Sequence, residues 1–331
     1  MVKARTLVGV IIPLLAPSLA LAYGEPDGAG RPNHRERLLH VFTNQVRAAP
    51  HDWPGWDTSK ATANARPPVR LHGKLIEAAR FHADDMAEHN CFQHESCDGT
   101  TFQVRVDRFF NGAGAGENIY TAIGIDDERS AITGWMNSDG HRRNILTDDW
   151  TDLGTGFSAR GGQVYYVQDF GLVTQDERPP IVGAARELLG SEVRLYANVY
   201  ASDGQAPREL AAVVDGTSTP LTLIAGRPGN ATYAVTLPAP GCAKVHFTVT
   251  PAGGSASTFP STGSLLVGTA CTTEFTTDRS GGPTGPNDPG QVVIDASSDR
   301  GCRAIGTTDR HPFAAFGLGL LLLLRLRRRR G

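Results

Sequence analysis

The chain has 331 residues, of which 40% are hydrophobic and 20% are charged. This composition excludes a disordered chain, and the glycines lack the strict period of a fibrous protein. Without Lys3, Arg5 and the residues from Cys302 onward, the chain carries 23 basic and 33 acidic side chains, a net charge of about −10. The whole chain has a formal net charge of only −2, but this acidic middle part gives no support to nucleic-acid binding, and we predict no nucleic-acid partner.

Residues 1–22 are typical of a secretory signal peptide. Two basic residues near the start precede a mostly apolar run, and Ala20-Leu21-Ala22 supplies a small-x-small cleavage pattern. A buried N-terminal helix is the alternative, but two prolines inside the run count against it. We therefore predict that the protein is exported.

Export would place the five cysteines in an oxidising compartment, where disulfides are the usual state. Cys91 and Cys97 bracket a short segment, and Cys242 and Cys271 lie together in a later region, so we predict that these four form disulfides. A Cys91-x-x-His94-x-x-Cys97 zinc site is the alternative for the first pair. Cys302 is left over and needs its own explanation.

Residues 34–175 alternate between helical and extended patterns. Helical spacing of apolar residues predicts helices over 35–47 and 74–89, and we place His82 in the core on the apolar face of the second helix. A further helix around Trp135 should stop at Asp139-Gly140. Because residues 164–170 are typical of a buried strand, the sequence predicts a mixed α and β domain here.

Residues 180–276 have a different sequence pattern. From Glu192 to Tyr200 apolar and polar residues alternate, which is typical of a half-buried strand, and three later stretches repeat the pattern. Turn signals such as Asp215-Gly216 separate them. We predict an all-β, immunoglobulin-like sandwich, stapled by Cys242 and Cys271, with a role in adhesion, spacing or stability.

The end of the chain predicts a linker and a membrane tail. Residues 277–300 are rich in glycine, proline, aspartate and serine, which is typical of a flexible linker. Residues 301–331 contain Gly301-Cys302, an apolar run over 312–324 and a terminal arginine cluster. A helix of this run would span about 20 Å, short of the roughly 30 Å hydrocarbon core. A core helix is the alternative, but core helices rarely end in several arginines.

This tail resembles the MYXO-CTERM sorting signal of myxobacterial surface proteins. Those signals combine a Gly-Cys motif, a hydrophobic span and terminal arginines in this order. The resemblance covers about the last 30 residues and implies processing near Cys302, transient contact with a membrane and delivery to the cell surface. It would also account for the unpaired cysteine.

Several segments of the first domain follow one another in a specific order. They are His82-x-x-Asp85-Met86, the stretch from Cys91 to Thr100, Gly116-Glu117-Asn118-Ile119-Tyr120, the stretch from Trp135 to Leu146, Gly154-Thr155-Gly156, and the stretch from Tyr165 to Gly171. This succession resembles the CAP superfamily of cysteine-rich secretory, antigen five and pathogenesis-related one proteins, in its SCP-like extracellular bacterial branch. The resemblance implies an α-β-α sandwich with a surface cleft lined by two histidines and two acids.

Three cleft residues carry over from this resemblance by position. They are His94, Glu117 and His141. Eukaryotic members have a glutamate shortly after the tryptophan that corresponds to Trp135, and this chain has Ser138 at that position. Glu128, seven residues before the tryptophan, is our candidate for the fourth acid.

Imidazoles and a carboxylate in one cleft allow three kinds of role. His94, Glu117 and His141 would suit Zn²⁺ or another divalent cation with a position left open for water. Glu117 beside an imidazole could instead act as a general base in hydrolysis. The third role is a hydrogen-bonded network without chemistry. No nucleophile elbow surrounds Ser138, which counts against a serine nucleophile three residues before His141.

We therefore predict an exported cell-surface protein without established catalysis. Its cleft, formed by His94, Glu117, Glu128 and His141, would bind a divalent cation, a small ligand (lipid, glycan or peptide), or both. The partner would be an unidentified component of a surface or envelope. The alternatives are a peptidase-like cleft hydrolase using Glu117 with His94 or His141, and a structural envelope protein.

Overall fold

The computed structural model describes residues 31–60, 64–124, 127–174 and 178–279. The predicted signal peptide, the sorting tail and all but the first three residues of the predicted linker lie outside these ranges. Within them, no helix is both long and apolar enough to cross a membrane.

In the described residues, helices alternate with the strands of a first sheet, and from residue 181 onward only strands follow. The helices are α1 (His34–Ala48), α2 (Gly73–His89), α3 (Phe102–Asp107), α4 (Glu128–Asn137) and α5 (Asp139–Ile145), with short 3-10 turns at Pro50–Asp52 and Thr58–Lys60. The first strands are β1 (Arg70–Leu71), β2 (Gly114–Ile123), β3 (Asp152–Arg160) and β4 (Gln163–Leu172). The later strands are β5 (Ile181–Leu189), β6 (Glu192–Tyr200), β7 (Glu209–Val214), β8 (Thr217–Pro220), β9 (Thr222–Arg227), β10 (Asn230–Pro238), β11 (Ala243–Thr250), β12 (Ser257–Phe259), β13 (Ser264–Val267) and β14 (Phe275–Thr276).

The first sheet has the order β1-β3-β4-β2 and carries helices on both faces. Side chains of β4 alternate between the faces. Tyr166 and Phe170 pack in one core cluster with Trp135 of α4 and residues of α1, whereas Tyr165 and Val167 pack with α2 on the other side. The predicted mixed α and β domain is therefore confirmed, with α2 on one face and α1 and α4 on the other.

Helix α2 lies very close to the sheet because β3 carries a glycine under it. A Cβ on Gly154 would stand 2.0 Å from the backbone carbon of Leu75, a distance that no side chain could occupy. The helix predicted over 74–89 is confirmed with one residue more at its start. Its end, at His89, fixes where the following cysteine loop begins.

The break between α4 and α5 corrects one prediction. Asp139-Gly140 do not stop a helix; they begin α5. The interruption lies at Ser138, whose extended backbone ends α4 and precedes α5. Asp139 then stands in the first turn of α5, where a carboxylate interacts favourably with the helix dipole.

Residues 178–279, the β segment, form two sheets around one apolar core. The orders are β5-β6-β10-β9 and β14-β13-β11-β7-β8, with β12 paired to β11. The strand predicted from Glu192 to Tyr200 is confirmed, as is the Cys242–Cys271 disulfide. Side chains from both sheets meet in the core, among them Leu195, Val245 and Phe247. The immunoglobulin-like assignment stays a prediction.

Helix α1 is buried between the first sheet and the β segment. It begins with a capping box in which Asn33 and Glu36 exchange hydrogen bonds with each other's backbone. On one side, the Thr43 hydroxyl accepts a hydrogen bond from Gln168 of β4 at 2.6 Å. On the other side, the Phe42 ring meets Tyr196 of β6 edge-on, with the centroids 5.8 Å apart. Both segments therefore share α1, and they lie in one compact unit of the chain.

Candidate functional site

Glu117 lies at the centre of the candidate site. It stands on β2, the edge strand of the first sheet, and pairs in register with Asp169 of β4, so both side chains lie on the α2 face. Its side chain is only 2% exposed. One carboxylate oxygen, Oε1, lies 2.8 Å from Nδ1 of His94, and the other, Oε2, accepts a hydrogen bond from Arg105 at 2.5 Å.

Arg105 of α3 holds this carboxylate in place. It is fully buried, and its second terminal nitrogen donates to the backbone oxygen of His94 at 3.0 Å and to the Ser96 hydroxyl at 3.2 Å. One guanidinium thus fixes both Glu117 and the loop that carries His94. Our sequence reasoning missed Arg105. The available signal was that Arg105 stands between two apolar residues, Val104 and Val106, which is unusual for an exposed arginine.

The loop between α2 and α3 presents His94 to solvent. The predicted Cys91–Cys97 disulfide closes this loop and is confirmed. The Cys97 backbone N–H also donates to Asp85 of α2 at 2.7 Å. These anchors leave the His94 side chain 51% exposed while its Nδ1 meets the buried Glu117.

The two cleft histidines have opposite electrostatic surroundings. The hydrogen bond to Glu117 raises the pKa of His94 above its ordinary value, although partial burial opposes this. Burial lowers the pKa of His141, and the neighbouring His94 lowers it further. His141 therefore lies close enough to His94 to sense its charge, and we expect it to be the neutral imidazole of the pair.

A network of buried amides holds the backbone of His141. The Asn118 side chain donates to the His141 carbonyl at 3.3 Å and to the Gln168 side chain at 2.9 Å, and the Asn144 side chain donates to Asn118 at 3.1 Å. The network ties α5 to β2 and β4. Asn118 thereby satisfies a backbone carbonyl near the cleft.

Two further titratable groups lie behind Glu117. Burial raises the pKa of Asp169 well above its ordinary value, with Glu117 adding to the effect and Arg105 opposing it. We expect Asp169 to keep its proton, because two adjacent buried carboxylates rarely both ionise. His82 is fully buried, as predicted, and lies 3.0 Å from the Gln93 carbonyl through Nε2. Burial lowers its pKa.

Glu128 does not join this cluster, which corrects its assignment as the fourth cleft acid. It begins α4 and forms an ion pair with Arg35 of α1 at 2.6 Å, and it lies 3.3 Å from the Tyr166 hydroxyl. Tyr166 is on the α1 face of the sheet, whereas Glu117 and Asp169 are on the α2 face. The sheet therefore separates Glu128 from Glu117, and the acid nearest to Glu117 is Asp169.

The donor geometry bears on the predicted metal site. Among the described residues, the one group of three ligand atoms within 4.8 Å of one another is Asp85, Cys91 and Cys97. Both of these cysteines are in a disulfide, so their sulfurs are not available as thiolates. His94, Glu117 and His141 do not form such a group, and both oxygens of Glu117 already have partners. Glu117 therefore suits the role of orienting His94 better than that of a direct ligand.

Comparison with known protein families identifies the first domain. Residues 41–170 match the model of the cysteine-rich secretory protein family, CAP. The chain carries a CAP domain. The match extends from α1 to β4 and includes His94, Glu117, Arg105 and His141.

Relatives of this CAP domain occur in bacilli. The chain is 38% identical over 95 residues to the uncharacterized membrane protein YlbC, and 35% identical over 95 residues to the uncharacterized protein YkwD, both of Bacillus subtilis (strain 168). Each match covers 28% of this chain, and they span only 26% and 36% of those relatives. A solved extracellular protein containing an SCP domain, from Bacillus anthracis str. Ames, is 29% identical with a TM-score of 0.34, covering 42% of this chain and 40% of that one.

Proposed function

We propose that this protein is an exported CAP-domain protein whose cleft binds a divalent cation, Zn²⁺ being the best match, through the imidazoles of His94 and His141. The observation that carries the proposal is the 2.8 Å contact between His94 Nδ1 and the buried Glu117. A carboxylate that accepts from Nδ1 fixes the tautomer and leaves Nε2 with its lone pair, the form in which histidine binds metals. The neutral His141 nearby supplies a second ligand of the same kind.

The roles within this site follow from the contacts. Glu117, held by Arg105, orients His94 and raises its basicity without itself binding the cation. A bound Zn²⁺ would supply a Lewis acid at the cleft surface. His94 lies on a loop fixed by a disulfide, and His141 lies on a helix fixed by buried amides, so both ligands are held by rigid supports.

The hydrolase alternative has less support in this geometry. A general base needs a carboxylate that can reach a substrate proton. Glu117 is 2% exposed and hydrogen-bonded through both oxygens. His94, and not Glu117, is therefore the group that could reach a substrate. If the cleft did catalyse hydrolysis, Glu117→Gln would lower turnover indirectly, because His94 would lose the carboxylate that orients it.

Zinc binding to the purified, oxidised chain tests the proposal. We expect one Zn²⁺ per chain by isothermal titration, and at least a tenfold loss of affinity in His94→Ala and in His141→Ala, because each removes one of few ligands. His51→Ala is the matched control, since His51 is exposed on the Pro50–Asp52 turn, and it should bind as the wild type does. Equal zinc binding by all four proteins would contradict the proposal and leave the cleft as a structural network.

We also propose that the protein works at the cell surface, where an envelope component is its partner. The two disulfides support export, since such bonds persist in oxidising compartments. The solvent-facing His94 supports an external ligand with a lipid, glycan or peptide group that reaches the cation. Protease treatment of intact cells that leaves the protein undigested while lysis exposes it would contradict a surface location.

A further inference from the structure

A continuous chain of hydrogen bonds runs behind His141, from the loop before β3 through the first sheet to α1. Its members are joined in the order Trp150, Asn144, Asn118, Gln168, Thr43 and the carbonyl of Leu39, over distances of 3.2, 3.1, 2.9, 2.6 and 2.7 Å. Asn118 also donates to the His141 carbonyl at 3.3 Å. The chain therefore connects the backbone of a cleft residue with the helix that lies between the first sheet and the β segment.

The last member of the chain fixes its direction. A backbone carbonyl only accepts hydrogen bonds, so Thr43 gives its hydroxyl hydrogen to Leu39 and its oxygen accepts from Gln168. The Gln168 oxygen must then face Asn118, whose two N–H bonds point at Gln168 and at His141. The tryptophan N–H at the other end can only donate, and it imposes the same direction. Each amide therefore has a single orientation that satisfies all its neighbours.

The interior of the chain has no access to water. Thr43, Gln168 and Asn118 are each 0% exposed. A buried amide that loses a partner cannot turn to solvent instead. Hydrogen bonds in series also strengthen one another in an interior of low dielectric constant. A change at one member should therefore reach the next.

We propose that Gln168 is a positioning residue for His141, acting through Asn118 and anchored to α1 by Thr43. The 2.9 Å bond to Gln168 holds the Asn118 amide where its second hydrogen meets the His141 carbonyl. This role rests on the proposed function, in which His141 is a ligand of the cation. Because Thr43 belongs to α1, the helix that the β segment covers takes part in holding the cleft.

The carbonyl carbon of His141 reports on this support without any metal. In the metal-free, oxidised full chain we expect its NMR signal to move upfield in Gln168→Met, the direction of a carbonyl that loses a hydrogen bond. Methionine is similar in length but cannot accept from Asn118, and the 3.3 Å bond to His141 is too long to hold that amide alone. Zinc affinity by isothermal titration should fall about threefold, less than the roughly tenfold loss usual for a group that contacts a metal ligand directly.

Two hydroxyl positions separate this chain from a general loosening of the core. Thr155→Val is the matched control, since the Thr155 hydroxyl is also fully buried and donates to an α1 carbonyl, that of Glu36, at 2.9 Å. It lies outside the chain, so the His141 signal and the zinc affinity should stay unchanged. Thr43→Val should move the signal in the same direction as Gln168→Met but by less, whereas Thr43→Ser keeps the hydroxyl and should not move it.

An unchanged His141 signal in Gln168→Met, or an equal movement in Thr155→Val, would overturn the proposal. So would a zinc affinity that stays at the wild-type value although the signal moves. If circular dichroism shows that Gln168→Met does not fold, the comparison of Thr43→Val with Thr43→Ser decides in the same way. A wild type that binds no zinc would contradict the proposed function, and the NMR comparison would still test the hydrogen-bond chain.

Discussion

Replacing Arg105 with methionine is expected to lower the free energy of unfolding by about 3–5 kcal/mol, the usual effect of removing one partner from a buried ion pair. The reason is that Glu117, 2% exposed, would keep only the half-exposed His94 as a partner for its charge or would have to be protonated. Asp169, fully buried beside it, adds to the cost. The measurement is chemical unfolding followed by tryptophan fluorescence.

Two further variants show that the effect comes from the ion pair. Arg108→Met alters an exposed arginine just after α3 and should change stability by less than about 0.5 kcal/mol. The double variant Arg105→Met/Glu117→Leu should be more stable than Arg105→Met alone, because it leaves no isolated charge. If the double variant lost as much stability as Arg105→Met and Glu117→Leu lose together when each is measured alone, Arg105 would act through packing and not through Glu117.

Ending the chain at residue 174 is expected to destabilise the CAP domain by roughly 5 kcal/mol or more, comparable with the whole stability of a typical domain. The truncation uncovers the side of α1 that faces the β segment. Phe42 loses Tyr196, and Asn44 loses the Asn198 side chain, whose oxygen lies 3.4 Å from Asn44 Nδ2. We expect a truncated chain without a cooperative thermal transition. A sharp transition near that of the full chain would show that the CAP domain folds alone.

A subtler variant tests the same contact within the full chain. A Cβ on Gly183 of β5 would stand 2.4 Å from the ring of His40 on α1, which is fully buried. Gly183→Ala should therefore cost about 1–3 kcal/mol through overpacking, and His40→Ala in the same chain should recover part of that loss. Gly241→Ala is the control, since nothing lies within 4 Å of its added Cβ.

These expectations change how the β segment is understood. Its alternating strands predicted a separate module with a role in adhesion, spacing or stability. The structure shows that its first sheet covers α1, and burial there lowers the pKa of His40 to about 3. Function tests that remove the β segment would therefore disturb the CAP domain too, and single substitutions within the full chain separate the two effects better.

The sequence predicted the outer part of the candidate site better than its interior. His94, Glu117 and the Cys91–Cys97 loop lie in recognisable segments, and the structure places them in contact. Arg105 was not predicted because nothing in a short helix indicates which distant acid an arginine will meet. Glu128 was misplaced for a related reason, since only the alternation of β4 side chains decides which face of the sheet an acid approaches.

The sequence by itself determined the local features of this protein: the helical and strand patterns, the two disulfide pairs and the ordered motifs of a CAP domain. These depend on residues close together in the chain, or on pairings that few cysteines allow. The tertiary structure decided which buried groups neutralise Glu117, that Asp169 replaces Glu128 beside it, and that α1 is covered on two sides. Those outcomes depend on contacts between residues far apart in sequence, where the energies of burial and charge pairing are set by neighbours that periodicity does not reveal.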